Sequence, residues 1–142
     1  MRIVTHSTQI EPSVRFVISF LFGLVAEVLT GLAIGAAVFA SGGGMPSNPA
    51  DFPAWVPYLA ILGGAAFTFL FARWRASRDP ERAMVHALLV TAAAIGLHLA
   101  TGIGAGQSFN LFHAIADACK LIAGVVAGRL VRARSSPTIA AV

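Results

Sequence analysis

Glu27, His98, His113, Asp117 and Lys120 lie deep inside long apolar stretches of this chain. Two carboxylates, an amine and two imidazoles are the side chains that hold and pass protons or small ions. A charge at the centre of a hydrocarbon layer costs roughly 2.5 to 3.5 kcal/mol on insertion scales, so each needs a partner or a cavity. At 100° per residue, Asn110, His113, Asp117, Lys120 and Gly124 share one helical stripe, which Gly128 continues. Glu27 shares a face with Gly23, Thr30 and Gly31. Glu27 and Lys120 each fall near the middle of an apolar stretch, which predicts a Glu27–Lys120–Asp117 cluster at one depth. That cluster has a formal charge of −1, which one proton or a bound cation completes. His98, on a face with Thr91, Ala94 and Gly102, matches His113 in depth, one layer further out. His98, His113, Asn110 and Thr91 are therefore read as polar lining. His86 points to another face and is read as an interfacial residue beside Arg82.

Several chemistries compete for these residues. A buried ion pair can lock helix register. Carboxylates beside a lysine and histidines are also the material of proton and ion pathways. The same charges could dock a span of another protein. A site of two histidines and Asp117 has the composition of a metal centre, and paired helical histidines are b-type haem ligands. A tight hairpin between the segments that carry His98 and His113 leaves no room for a macrocycle, so no cofactor is expected. The run from Gly102 to Gly106 has neither the spacing nor the preceding strand of a phosphate loop and reads as a turn. No serine, histidine and acid combination stands out as a nucleophilic triad, the nearness of Ser108 to His113 being incidental, and the chain is read as non-enzymatic. A single cysteine, Cys119, excludes an internal disulfide.

The elements that must position these groups are four apolar segments: 16–40, 56–72, 83–103 and 108–130. The chain is 57% hydrophobic and 11% charged, against about 25% charged in soluble domains, and its mean hydropathy is +0.80. Each segment is close to the roughly 17 to 25 residues of a spanning helix, so the expected fold is an all-α, polytopic bundle of four transmembrane helices in one membrane domain. The first segment carries Glu27 and exceeds a secretory core in length, so it reads as an uncut anchor.

Arg2, Arg15, Arg73, Arg75, Arg78, Arg82, Arg129, Arg132 and Arg134 flank the segments on one side, and only Lys120 departs from that pattern. Positive charge stays cytoplasmic, which predicts both termini inside and assigns the net charge of +4 to orientation rather than to nucleic acid. Between Ser41 and Pro53, glycines and prolines read as an external loop. Trp55 and Tyr58 mark the outer interface and Trp74 the inner one. Asp79 before Pro80 reads as a helix cap, and residues 131–142 as a short disordered cytoplasmic tail. The pairs Gly31 with Gly35 and Gly124 with Gly128 predict that the first and fourth spans pack through glycine faces, Gly23 included. No internal repeat supports an inverted-repeat transporter.

The expected location is a bacterial inner membrane, with lipid and a homo-oligomer or larger complex as partners. The expected role is proton- or ion-coupled translocation of a small solute. The alternative is a non-catalytic accessory subunit or assembly factor.

Overall fold

A computed structural model describes residues 11–42, 44, 46, 51–104 and 109–135. The fold is all-α. Helix α1 spans Pro12–Ala40, α2 Val56–Ser77, α3 Ala83–Gly104 and α4 Leu111–Ser135, and the 3-10 turn Pro80–Arg82 leads into α3. Arg2, Ser108, Gly106 and the chain beyond Ser135 lie outside the described residues, as does much of the loop after α1.

Proline and asparagine set the helix starts. Pro12 and Pro80 occupy first-turn positions, where the missing N–H costs nothing. Asn110 Oδ1 accepts the His113 backbone N–H at 3.1 Å, which caps α4. At the end of α1, Ser41 N–H donates to Ala37 O, and Gly42 takes φ +82, a conformation that suits glycine. Two boundaries differ from the sequence expectation. Helix α2 continues past Ala72 to Ser77, so Arg73 and Arg75 are helical rather than part of a loop. Helix α4 continues to Ser135, so residues 131–135 are helix and not tail. Nothing breaks either helix before those points, and arginine is a good helix former.

Among the described residues, three helical stretches are long and apolar enough to cross a bilayer: Ser13–Ala40, Val56–Ser77 and Pro80–Gly104. Helix α4 has 25 residues but carries Asp117, Lys120 and three arginines. Burial is inverted relative to a water-soluble domain. The two largest fully buried side chains are Lys120 and His86, whereas Leu32, Leu62 and Ile122 are 63%, 69% and 62% exposed. Charged groups inside and large aliphatics outside suit a hydrocarbon solvent, not water.

Helix α1 packs on α2 and α3, and α4 packs on the same two from the other side. Among the described residues no Cα of α1 comes within 8 Å of α4. The expected close packing of the first and fourth segments is therefore replaced by a diagonal relation. A Cβ built on Gly31 or Gly35 would meet nothing within 4 Å, so these two glycines serve no contact inside the bundle. The other three receive α3 instead. Gly23 admits the Val90 carbonyl and Ala93, Gly124 admits the Thr91 hydroxyl, and Gly128 admits Ala87 and Met84. The core between them is built of small residues, Ala72, Ala87, Val90 and Ala127, with Phe22, Phe69 and Phe71 packed around it.

Candidate functional site

The central cluster draws on three helices. Lys120 of α4 crosses the bundle, and its Nζ lies 2.7 Å from Glu27 Oε2 of α1. Glu27 Oε2 has no hydrogen-bond partner among the described residues and meets Lys120 as an ion pair. Lys120 Nζ also stands 3.6 Å from Asp117 Oδ1, one turn back on its own helix. Asp117 Oδ1 in turn lies 2.6 Å from His98 Nδ1 of α3. An ionised carboxylate only accepts, so His98 Nδ1–H donates to Asp117. Lys120 is 1% exposed. Its stem runs where a side chain on Gly64 of α2 would stand, with Cε 2.8 Å from the position of that missing Cβ.

Outward of His98 the polar groups continue. The His98 and His113 rings have centroids 5.3 Å apart and are tilted by 31°. His113 Nδ1 lies 2.9 Å from Asn110 Oδ1, in an exposed setting. Phe109 stacks on His113 at 6.0 Å, and Tyr58 meets Phe112 edge-on nearby on the same helix end. A succession of titratable or polar side chains therefore leads from Glu27 through Lys120, Asp117, His98 and His113 to the exposed Asn110.

Inward of the cluster the bundle closes. Gly23, Val90, Thr91 and Gly124 meet in tight contact, and Thr91 Oγ1 donates to Ala87 O of its own helix at 2.9 Å. Thr91 thus belongs to the packed layer below the cluster and not to its polar lining, because its hydroxyl fills the space that Gly124 leaves. Asn110 likewise has a local task as the cap of α4.

A second polar cluster lies beyond that layer, where the basic residues gather. Asp79 Oδ2 accepts from Arg15 Nη1 at 3.3 Å and lies 3.2 Å from His86 Nε2. His86 Nδ1 lies 2.7 Å from Ser19 Oγ, which is itself 3.0 Å from Arg15 O. Arg75 Nη2 donates to that same carbonyl at 3.1 Å. His86 is fully buried between α1 and α3 rather than interfacial beside Arg82. Asp79 makes no side-chain cap for the turn that follows it; its carboxylate is spent on Arg15 and His86. Burial pushes the Asp79 carboxyl up, but hydrogen bonds from His86 and Arg15 and their charges outweigh it and hold it below its ordinary value.

The Ser19 hydroxyl has one proton and two acceptors within reach. If it donates to His86 Nδ1, the imidazole is neutral and donates through Nε2 to Asp79. If it donates to Arg15 O, His86 must donate from both nitrogens and is cationic.

The sequence reading missed Gly64 and the Ser19–Asp79–His86–Arg75 group. The adjacent Gly63 and Gly64 in mid-segment were the available signal for the first. Arg15, Arg73 and Arg75 were grouped as topological charges, which hid the burial of Arg75. Among the described residues no three His, Cys, Asp or Glu side chains gather as a metal-binding group. No family model, curated protein or solved structure matches the chain.

Proposed function

We propose that this is a four-span membrane protein, with both termini cytoplasmic, that couples protonation of its central cluster to the passage of a small solute or ion. The observation that carries the reading is the charge balance of the cluster. Glu27, Asp117 and Lys120 sum to −1 in the ionised state and sit together away from water. His98 adjoins Asp117 at 2.6 Å. A second proton on His98 brings the group to neutrality, and neutrality is what a low-dielectric centre favours.

Two further features support it. His113 and Asn110 extend the polar succession outward to an exposed end. The Gly23, Val90, Thr91 and Gly124 layer seals the opposite side. This arrangement is one in which the cluster takes its proton from the outer side, and passage requires the small-residue layer to part. Helix α4 is about 37 Å long at 1.5 Å per residue, enough to span. Its exposed Leu121, Ile122 and Val126 suit lipid while Lys120 stays inside. The sidedness of the arginines supports an inner membrane with the Arg15–Asp79–His86 end cytoplasmic.

The accessory-subunit alternative is less well supported. Its docking residues were to be Glu27, Asp117 and Lys120, and these find partners within the chain. The test is proton flux into dye-loaded proteoliposomes under an imposed gradient. The expected result is that Asp117→Asn abolishes flux while the protein still folds. Unchanged flux in that variant overturns the proposal.

A further inference from the structure

A cavity of about 490 Å³ lies between the last two turns of α2 and α4, at the end of the bundle where the arginines gather. That volume is in the range of small-molecule sites, roughly 300 to 1,000 Å³. Its lining is graded along the helix axes. Leu70 and Leu130 lie one turn deeper than Trp74 and Arg134 respectively, and Arg73 and Arg134 lie about a turn nearer the helix C-termini than the two leucines. The walls are thus apolar toward the bundle centre and cationic toward the interface.

The two guanidiniums are uncommitted. Arg15 is held by Asp79 and Arg75 by the Arg15 carbonyl, whereas among the described residues neither Arg73 nor Arg134 enters an ion pair or hydrogen bond. The hydroxyls in the lining are committed: Ser77 Oγ donates to Trp74 O and Ser135 Oγ to Val131 O. Charged donors for a ligand therefore come from the two arginines. Two helix C-termini end beside the cavity, each equivalent to roughly half a negative charge. Two full positive charges exceed that sum, so the mouth remains anion-attracting. Asp79, in the adjoining turn, is already neutralised by Arg15 and hydrogen-bonded to His86.

We propose that this cavity binds an acidic phospholipid of the inner leaflet. Arg73 and Arg134 hold its phosphate, and the first methylenes of its chains lie against Leu70 and Leu130. Basic pockets between spanning helices on the cytoplasmic side suit such headgroups, and the graded lining matches a molecule that is anionic at one end and apolar below. The inference rests on the membrane-spanning reading of α2 and is independent of the proton chemistry of the central cluster.

Trp74 lines the cavity, and Trp55 is the only other tryptophan, so Trp55→Phe leaves one reporter at the site. The experiment measures its fluorescence in vesicles that contain phosphatidylglycerol or phosphatidylcholine brominated near the carbonyl end of the chains. The expected result is saturable quenching that favours the anionic lipid by about 25-fold, from roughly fivefold for each of the two basic residues. Arg73→Gln with Arg134→Gln removes most of that preference, and Arg73→Lys with Arg134→Lys retains it. Should the glutamine pair fail to fold, the preference in the parent and its retention in the lysine pair decide the matter.

Equal quenching by the two lipids overturns the proposal, as does a preference that survives the glutamine changes in folded protein. Loss of the preference on adding inorganic phosphate also overturns it, since the site then takes free phosphate. Absence of quenching by either lipid contradicts the spanning reading itself, and this proposal with it.

Discussion

Asp79 shows how much one side chain can hold. It joins α1, through Arg15, to α3, through His86, at the connection between α2 and α3. Its carboxyl sits below its ordinary value of 3.8, so the folded state binds its proton less readily than the unfolded state does. The stability it contributes is therefore present above about that value and lost as pH falls through the lower folded one. Unfolding in mild detergent as a function of pH should show this acid-side loss. Asp79→Asn should flatten that part of the profile and lower stability at neutral pH by about 1 to 3 kcal/mol, since Arg15 and His86 lose a charged acceptor. An unchanged profile in the variant would remove Asp79 from the account.

At this scale the sequence was informative where depth alone mattered. Counting helix rise from the ends of the apolar segments sufficed to put Glu27 level with Lys120, and His98 with His113. It did not show that Lys120 needs Gly64, because a lysine stem crossing a neighbouring helix leaves no periodic signal in either segment. The local duties of Asn110 and Thr91 were hidden for a similar reason. A polar residue on the right face is the same letter whether it lines a site, caps a helix or fills a glycine notch.

At the scale of elements, α3 contacts α1, α2 and α4 and leaves one stripe, which includes Val85 and Leu88, exposed. Those three contacts are why His86, on a different face from His98, is buried rather than interfacial. They are also why Gly23, Gly124 and Gly128 all turn toward α3. Which helices neighbour one another was not legible, since a pair of glycines four residues apart has the same pattern whether it meets a helix or open space. The two kinds can be told apart by substitution. Gly124→Val drives a side chain into Thr91 and should cost about 1 to 3 kcal/mol or more through overpacking. Gly35→Val meets nothing and should leave stability within about 0.5 kcal/mol. Thermal unfolding of the two variants side by side checks this, and equal losses would contradict the helix arrangement.

At the scale of the molecule, two polar clusters are separated by a tightly packed layer of small residues. The outer one has an odd charge and a polar succession leading to an exposed end. The inner one, at the arginine-rich end, joins the helix termini around Asp79. The all-α class and the apolar segments were legible because lipid demands long apolar helices whatever the protein does. The inner cluster was not, because its members come from α1, α2, the connection and α3, and only the three-dimensional arrangement brings them together. If the central cluster is a proton-binding site fed from outside, one proton should join it, and His98 should carry that proton.

The most direct measurement is heteronuclear NMR of the His98 ring nitrogens in labelled protein, followed as the pH is lowered over the range in which flux is observed. If the cluster takes up the transported proton, His98 holds two ring protons under conditions of flux in the native protein and only one in Asp117→Asn. A His98 ring that keeps a single proton throughout that range would contradict that uptake.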